Sequence, residues 1–298
     1  MDNVLKLGIP KGSLEKATIE LFEKAGWIIK VKSRNYFPTI DDDEISCAIV
    51  RAQEMARYVE TGVFDVGLTG LDWILENNAD VEIITDLIYS KSSTKKAKWV
   101  LAVPSSSDIN RIEDCAGKKI STELVNFTRK YFEERNIPVS VEFSWGATEA
   151  KVAGGLVDAI VEVTETGTTI KAHGLKIIHT LLETNTKLIA NKNSMKDPWK
   201  KSKIQQIAML LKGALNAENM VGLKMNVPDD KLEKVIDILP SITAPTVSRL
   251  YNEKWFSVET VVSENVVRKI IPELLKRGAD GIIEYALNKI VNQDDVFV

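Results

Sequence analysis

The chain has 298 residues, of which 44% are hydrophobic and 27% are charged, a composition typical of a folded globular protein with ample core. Its formal net charge of −3 gives no electrostatic reason to expect a nucleic-acid partner. Two cysteines without CxxC spacing and two histidines argue against a His/Cys metal cluster and against a disulfide framework. The amino-terminal MDNVLKLGIPKG lacks the apolar stretch of a signal peptide, and no run approaches the roughly 18 apolar residues of a membrane span, so we expect a cytoplasmic protein without a membrane partner.

The first two-thirds of the sequence alternate apolar strands with amphipathic helices. VLKLGI predicts a strand, and SLEKATIELFEKAG predicts the following helix, with Ser13 as N-cap and Gly26 as terminator. The further predicted strands are EISCAIV, FDVGLTG, WVLAVP, KKIST, VSVEFSW and DAIVEV. This alternation predicts an α/β fold with largely parallel sheets, whose ligands bind beyond the carboxyl ends of the strands.

The pattern changes after Asn219. The predicted strands are VGLKMNVP, TVSRL, WFSVETVV and DGIIEYAL, and the predicted helices are DDKLEKVIDILP and SENVVRKIIPELLKRG. The order β-α-β-β-α-β predicts a separate ferredoxin-like module of roughly 75 residues. A long connecting helix, PWKKSKIQQIAMLLKGALNAEN, precedes it.

The stretch VEVTETGTTIKAHG follows a predicted buried strand and is rich in small donors. Gly167 lets the backbone approach a ligand closely, and four threonines add hydroxyl groups: Thr164, Thr166, Thr168 and Thr169. Such a loop suits a terminal phosphate. Glu162, at the end of the strand, accepts hydrogen bonds only when ionised, which suits a sugar diol or a metal-bound water. A phosphate beside a diol indicates ribose 5-phosphate. The alternative is that the threonines cap the helix that follows and Glu162 is merely exposed.

This loop closely resembles the phosphoribosyl-diphosphate loop of the ATP phosphoribosyltransferase family. The resemblance recurs in family order along nearly the whole chain, at IPKGSLEKATIELFEKAGW, VRAQEMARYVETGVFDVGLTGLDWI, WVLAVP and APTVSRL. It implies a two-lobed catalytic region of the type II periplasmic-binding-protein kind, followed by a C-terminal ferredoxin-like βαββαβ regulatory domain. Lobe I would comprise residues 1–99 and 185–219, lobe II residues 100–184, and the regulatory domain residues 220–298.

The resemblance also implies the chemistry. The family transfers a ribosyl 5-phosphate from phosphoribosyl diphosphate to N1 of the adenine of ATP, with loss of diphosphate, as the first step of histidine biosynthesis. Mg²⁺ accompanies the substrate phosphates, histidine inhibits the long form, and the protein forms homo-oligomers, commonly dimers and hexamers. Glu162 would bind the ribose hydroxyls, and the threonine loop would hold the 5-phosphate.

Two basic residues end predicted strands and would face the cleft. We predict that Lys11 and Arg51 contact substrate phosphates and, with Glu162, form the catalytic set; a surface ion pair is their alternative role. In GLTGLDWI, Gly70 and Asp72 are expected to join Lys11 in binding ATP, or else to cap a helix.

The regulatory site follows from the resemblance to the long form. Histidine would be bound by five residues: Asn226, Ile242, Ala244, Thr246 and Gly281. Asn226 and Ala244 stand where some relatives carry Asp and Ser, so the ammonium group of the ligand has fewer charged contacts. A purely structural dimerisation domain is the alternative.

The chain departs from the family in two places. Ser13 stands where the family often has Arg, and IYSKSSTKKAK, which includes Lys91 to Lys98, replaces a glycine-bearing turn. The acidic run from Asp41 to Glu44 is interpreted as an exposed turn rather than a metal site.

Other function classes stay open at this stage. His173 and His179 are expected to be structural or exposed. A non-catalytic ligand-binding protein is one alternative function. A nucleobase phosphoribosyltransferase of the common type is another, although that class carries two adjacent carboxylates and here Val163 follows Glu162.

Overall fold

The computed structural model describes residues 3–31, 36–89, 96–146, 148–242, 244–251 and 254–295. The chain forms two compact units, residues 1–208 and 209–298. The predicted domain limits at residues 99, 184 and 219 stay predictions. Within the described ranges, no helix is both long and apolar enough to cross a membrane.

The first unit alternates strands and helices, as predicted. Its strands are β1 (Leu5–Lys11), β2 (Ile29–Lys30), β3 (Thr39–Ile40), β4 (Ile45–Arg51), β5 (Val66–Gly70), β6 (Glu82–Leu87), β7 (Ala97–Pro104), β8 (Lys119–Thr122), β9 (Ser140–Phe143), β10 (Ala159–Thr164), β11 (Leu175–Thr184) and β12 (Thr186–Ala190). Its helices are α1 (Glu15–Ala25), α2 (Ala52–Glu60), α3 (Leu71–Glu76), α4 (Val125–Glu133), α5 (Thr148–Ala153) and α6 (Thr168–Ala172). The long connecting helix is α7 (Pro198–Asn216), which continues into the second unit.

Two five-stranded sheets with the same plan form two lobes. The first lobe has the strand order β4-β1-β5-β12-β6 with α1 to α3, and the second lobe has the order β9-β8-β10-β7-β11 with α4 to α6. In each sheet three parallel strands are followed by one reversed strand, β12 or β7, and then by an outer strand. The two-lobed arrangement of type II periplasmic binding proteins is therefore confirmed.

The prediction of largely parallel sheets was wrong at the reversed strands. Strand β7 is the first strand of the second lobe, and β12 is the first strand after the chain returns to the first lobe. Each pairs antiparallel with both neighbours. Strand β12 follows β11 after the single residue Asn185, so no crossover helix turns the chain back before it enters its sheet.

The first lobe has an apolar interior strand, β1, next to the central strand β5. Leu5, Leu7 and Ile9 of β1 have no exposed surface. Gly8 and Gly67 are partners in the β1–β5 register, and a Cβ at Gly67 would lie 2.6 Å from the sulfur of Met55 on α2. The two glycines therefore let α2 pack close to the sheet.

The start of α1 differs from the prediction. The N-cap is Leu14, without a side-chain cap bond, so Ser13 is not the cap. The Thr18 hydroxyl donates to the Leu14 carbonyl instead, at 2.8 Å. The helix ends as predicted at Gly26, whose φ is 109°.

The second unit has the predicted ferredoxin-like topology. Its elements are β13 (Met220–Pro228), α8 (Leu232–Ile236), β14 (Thr246–Arg249), β15 (Trp255–Ser263), α9 (Glu264–Lys276) and β16 (Asp280–Ala286). The strands are antiparallel in the order β14-β15-β13-β16. Alternate residues of β13, from Val221 to Val227, belong to the core of this unit, so Gly222, Lys224 and Asn226 lie on the other face.

Candidate active site

A cleft between the lobes holds most of the predicted catalytic residues. Its larger cavity, about 580 Å³, is lined by Gly70 and Asp72 from the first lobe and by Glu162 and the threonine loop from the second. Its smaller cavity, about 260 Å³, is lined by Lys11 and Arg51 and again by Asp72 and Glu162. The two cavities thus share residues at the carboxyl ends of β5 and β10.

The threonine loop turns directly from β10 into α6. Gly167 has a φ of 75°, and its N–H donates to the Thr164 hydroxyl at 2.8 Å. Thr164, Thr166 and Thr169 line the larger cavity. Gly167 is buried and shapes the turn, whereas the Thr168 hydroxyl bonds that of Thr166 at 2.8 Å. Three of the four predicted threonines therefore line the cavity.

Glu162 is one of the residues that line both cavities. It is half-buried, and its carboxylate accepts the N–H of Val163 at 3.2 Å. Burial raises the pKa of Glu162, and the nearby charges of Glu149 and Glu123 raise it further. A half-buried carboxyl that lines both cavities fits poorly with the alternative that Glu162 is merely exposed. The helix-cap alternative for the threonines stays open, since the Thr164 and Thr166 hydroxyls accept the N–H groups of Gly167 and Thr168.

Lys11 and Arg51 are side by side because they end neighbouring parallel strands in register. Both line the smaller cavity, and the Lys11 ammonium lies 4.2 Å from the centre of the Tyr36 ring. Arg51 is exposed and forms no ion pair with any residue that the structure describes. Two cations beside a carboxylate, at one end of a cleft, suit a polyanionic ligand.

Asp72 has a structural environment that the sequence did not reveal. It is 6% exposed, and its carboxylate accepts the indole N–H of Trp99 at 2.8 Å and the Thr184 hydroxyl at 3.0 Å. Burial raises its pKa. Gly70 is the N-cap of α3 and offers no side-chain cap; a Cβ there would overlap the Asp72 carboxylate. Contact of Gly70 and Asp72 with ATP stays a prediction.

Sequence reasoning missed several residues that line the cleft. The most informative is Glu123, which lies in the smaller cavity directly after β8; burial and the charge of Asp72 raise its pKa. Glu149, Gln53 and Trp73 also line the cavities. Glu123 could have been found, because it follows the predicted strand KIST as Glu162 ends its own strand.

Four other features singled out in the sequence are the acidic run, the two histidines and the lysine segment. Asp42 is only partly exposed, since its carboxylate accepts the Trp27 indole N–H at 3.1 Å and pairs with Lys203 at 2.8 Å, so the exposed-turn interpretation was incomplete. His173 is exposed, and His179 bonds the Tyr131 hydroxyl at 2.7 Å. Residues 90–95, which include Lys91, lie outside the described residues.

The residues predicted to bind histidine all lie in the second unit, but they do not all contact one another. Gly281, with a φ of 58°, lies next to Asn226: a Cβ there would be 3.6 Å from the Asn226 amide nitrogen. Thr246 begins β14, after Ile242 and Ala244, and β15 separates it from β13. A ligand that touches Asn226 and Thr246 must therefore span about 10 Å of sheet.

Residues of β15 that were not predicted lie between these two groups. Thr246 pairs with Glu259, and Asn226 pairs with Ser257. The Tyr285 hydroxyl donates to the Glu259 carboxylate, and this bond raises the pKa of Tyr285.

Comparison with known proteins identifies the family. The family model for ATP phosphoribosyltransferase (HisG) matches residues 51–213, and the model for the HisG C-terminal domain matches residues 217–289. An ATP phosphoribosyltransferase from Solidesulfovibrio magneticus is 64% identical over 97% of this chain and 99% of the relative. The chain belongs to the ATP phosphoribosyltransferase family. Its C-terminal domain identifies the long form, and family membership makes it a glycosyltransferase of histidine biosynthesis.

Two further relatives agree with this assignment. An ATP phosphoribosyltransferase from Desulfatibacillum aliphaticivorans is 62% identical over 98% of this chain and 100% of the relative. Among solved structures, the ATP phosphoribosyl transferase (HisG:HisZ) complex from Thermotoga maritima matches with a TM-score of 0.61 and 28% identity. That match covers 70% of this chain and 99% of the other chain.

Proposed function

We propose that the protein transfers the phosphoribosyl group of 5-phosphoribosyl 1-diphosphate to N1 of the adenine of ATP and releases diphosphate. The reaction would take place in the cytoplasm, as the first step of histidine biosynthesis. The observation that carries the proposal is the order of groups along the cleft. The threonine loop lies in the larger cavity, Glu162 lines both cavities, and Lys11 and Arg51 line the smaller one.

That order follows the order of groups in the donor substrate. The 5-phosphate would bind the hydroxyl and N–H groups of the threonine loop, with Glu162 accepting hydrogen bonds from the ribose 2- and 3-hydroxyls. The 1-diphosphate, at the other end of the sugar, would then reach Lys11 and Arg51. ATP would occupy the rest of the cleft, near Gly70 and Asp72.

The proposed chemistry needs positioning and charge neutralisation rather than a protein nucleophile. The bond from ribose C1 to the diphosphate oxygen breaks, the diphosphate takes the electron pair, and a new bond forms from C1 to N1 of adenine. Lys11 and Arg51 would stabilise the charge that develops on the leaving group. Glu162 would hold the ring so that C1 faces the incoming adenine.

Mg²⁺ would come with the substrate phosphates. In the described part of the chain, no group of three or more His, Cys, Asp or Glu side chains is arranged to hold a metal. This fits an ion held by substrate oxygens and one or two carboxylates, of which Glu123 lines the smaller cavity with Lys11 and Arg51. The bound ion would neutralise diphosphate charge as that group departs.

The C-terminal unit is proposed to bind histidine as a feedback inhibitor. Asn226 and Gly281 would contact one end of the ligand and Thr246, with Ala244 and Ile242, the other. Inhibition requires histidine to bind one state of the enzyme better than another, by a coupling of about 1–3 kcal/mol. Activity of the full-length enzyme would then fall with rising histidine and fall less in Thr246→Ala. An enzyme indifferent to millimolar histidine would contradict this part alone.

We also propose a homo-oligomer that interconverts between dimer and hexamer. Ile283, on the open face of the C-terminal sheet, is 58% exposed, and Tyr251 is 90% exposed. Large apolar side chains of this kind are commonly covered in assemblies. Light scattering across protein concentrations tests the proposal, and a strictly monomeric species would contradict it.

The reaction itself is tested by diphosphate release from the purified full-length protein. Release should require both ATP and phosphoribosyl diphosphate, and it should fall in Glu162→Gln. Release with ATP absent would point to a different acceptor or to hydrolysis. Tight binding of phosphoribosyl diphosphate without any release would favour the non-catalytic binding protein instead.

A further inference from the structure

Helix α3 belongs to the first lobe by its chain connections and by its packing. It follows β5 without an intervening loop, and its Ile74 is part of the apolar core around Met55 and Phe64. Directly after the helix, the Asn77 amide donates to the carbonyl of Gln53 on α2 at 2.9 Å. The helix is therefore fixed to the first lobe.

Three other side chains of the same helix are anchored in the second lobe. Trp73 packs against the core cluster that contains Trp99, with the two rings edge to face at 6.3 Å. Asp72 bonds Trp99 on β7 and Thr184 at the end of β11, the two strands on which the chain enters and leaves the second lobe. These contacts tie α3 to the second lobe at the crossing points.

The third anchor is Glu76, one helical turn beyond Asp72. Its carboxylate accepts the N–H of Asn126 at 3.1 Å and the N–H of Phe127 at 2.9 Å, in the first turn of α4. The Asn126 side chain donates back to the Glu76 carbonyl at 3.2 Å. The N-cap of α4, Leu124, has no side-chain cap of its own. A carboxylate from the other lobe thus supplies the helix cap that the local sequence lacks.

The capped turn lies close to the cleft. Glu123, which lines the smaller cavity with Lys11 and Arg51, is three residues before Asn126. Fixing the start of α4 against α3 therefore fixes Glu123 relative to the first lobe. Displacements of about 1 Å at reacting groups can cost up to a hundredfold in rate, so such a contact matters to the chemistry.

We propose that Glu76 is a positioning residue that holds the two lobes, and with them the cleft, at the working separation. It acts through the first turn of α4 and touches no substrate. Asp72 and Trp73 hold α3 against the strands on which the chain crosses between the lobes, and Glu76 fixes the angle between the two lobes. The kinetic consequence rests on the proposed function, whereas the effect on lobe separation does not.

The test compares Glu76→Ala with a matched control, Asp114→Ala. The Asp114 carboxylate also accepts two N–H groups at the start of a helical turn, those of Asn110 at 3.0 Å and Arg111 at 3.2 Å, but all three residues lie in the second lobe. Both variants lose a carboxylate that accepts two backbone N–H groups, so both should lower the unfolding free energy. Asp114→Ala also loses an ion pair with Arg111 at 3.2 Å, so the control loses no fewer interactions than Glu76→Ala. Glu76→Ala should also lower kcat/KM for diphosphate release, by on the order of tenfold to a hundredfold. Asp114→Ala should leave it within about twofold.

A second measurement is independent of activity. Spin labels at Val63→Cys in the first lobe and Leu156→Cys in the second, both exposed positions, report the distance between the lobes. Without substrate, Glu76→Ala should broaden the distribution of distances between the labels, and Asp114→Ala should leave it unchanged. Glu76→Gln should broaden it less than Glu76→Ala, because the amide oxygen of Gln still accepts one N–H.

Three results would overturn the proposal. The first is an unchanged distance distribution in Glu76→Ala. The second is a kcat/KM of Glu76→Ala within twofold of that of the unsubstituted enzyme. The third is an equal loss of kcat/KM in Glu76→Ala and Asp114→Ala. An unsubstituted protein that releases no diphosphate would defeat the proposed function, while the distance measurement would still decide the role of Glu76.

Discussion

The indole N–H of Trp99 donates to the carboxylate of Asp72 across the two lobes, at 2.8 Å. The Thr184 hydroxyl occupies the other carboxylate oxygen at 3.0 Å, so both oxygens already have protein partners. Trp99 is 2% exposed and Asp72 6%, which leaves the indole no access to water as a substitute. These contacts account for an acidic residue that lines the cleft and yet is almost completely buried.

Asp72→Ala should therefore act mainly on stability. It leaves the Trp99 N–H without an acceptor, and the Thr184 hydroxyl keeps only its bond from the Asp72 backbone N–H at 3.3 Å. A buried unsatisfied group costs about 1–3 kcal/mol. Urea unfolding measures the loss. Glu134→Ala, which removes an exposed carboxylate, is the control and should change stability little. Unchanged stability together with weaker ATP binding would instead support a direct contact to ATP.

Thr169→Ala should weaken binding of phosphoribosyl diphosphate. Thr169 lines the larger cavity, and loss of a hydrogen bond to a charged phosphate costs about 1.5–3 kcal/mol. Titration calorimetry with this substrate measures the change. Thr61→Ala removes a hydroxyl bonded only within its own helix turn and serves as the control. Equal affinity in the Thr169 variant and the unsubstituted protein would remove the loop from the 5-phosphate site.

Glu162 should produce an acid limb in the pH profile. Burial, with the charges of Glu149 and Glu123, raises its pKa above the ordinary 4.5, so the carboxylate is protonated at a higher pH than an exposed Glu. Because only the ionised form accepts hydrogen bonds from the ribose diol on both oxygens, kcat/KM for phosphoribosyl diphosphate should fall as the pH drops through that raised pKa. Glu162→Gln should lower kcat/KM at neutral pH by about tenfold to a hundredfold, the equivalent of one charge-assisted hydrogen bond, and should flatten the acid limb. A limb that persists in the variant belongs to another group.

Asp65 should make stability depend on pH in the acid range. Burial alone would raise its pKa, but hydrogen bonds from Lys200 at 2.7 Å, from Ser194 at 2.6 Å and from the Lys6 N–H at 2.9 Å outweigh burial and lower it. A lowered folded-state pKa stabilises the protein above the ordinary value of 3.8, and this stabilisation disappears as the pH falls through the folded-state pKa.

Asp65→Asn therefore should lower the unfolding free energy at neutral pH by about 1–3 kcal/mol. The difference between variant and unsubstituted protein should shrink below pH 3.8, the ordinary pKa of the group. Denaturant titrations at several pH values measure it. A difference that is constant from neutral to acid pH would show that packing, not charge, sets the effect.

Gly222→Ala tests the open face of the C-terminal sheet. A Cβ at Gly222 would overlap the ring of Tyr285, which crosses β13 to reach Glu259 on β15. Overpacking of this kind costs about 1–3 kcal/mol, and the displaced ring would cover part of the face that separates Asn226 from Thr246. We expect weaker histidine inhibition in Gly222→Ala than in Tyr285→Phe, which removes the hydroxyl without moving the ring. Equal inhibition in both variants would exclude this face from the regulatory site.

Local periodicity predicted most elements of the fold but missed five strands of the first unit, the two-residue β2 and β3 and the longer β6, β11 and β12. Strand β12 is buried along its whole length, yet it includes Thr186 and Lys187, whose polar side chains hide the apolar pattern. Lys187 is tolerated there because it pairs with Asp86 on β6 at 2.5 Å. A partner 101 residues away leaves no local signal. Strands β6 and β11 are mixed in the same way, with charged residues among their apolar ones.

The residues of the candidate site also differ in how far local sequence predicts them. The threonine loop and Glu162 lie within one strand, turn and helix, so the sequence alone predicts them as a group. The network of Asp72, Trp99 and Thr184 joins residues 27 and 112 positions apart, and Glu76 meets α4 from 50 positions away. Such contacts depend on how the chain crosses between the lobes, which no local pattern encodes.

The position of β12 in the first sheet also bears on how the protein is made. This strand lies between β5 and β6, but a ribosome completes it only after all five strands of the second sheet. Until then the edge of β5 is unpaired and β6 has no neighbouring strand in the nascent chain. Unpaired strand edges of this kind are templates for aggregation. The second sheet, by contrast, has all its strands within residues 97–184 and can close earlier. We expect released chains truncated after residue 185 to resist protease within residues 97–184 while the first sheet stays cleavable, and the full-length chain to be protected in both sheets.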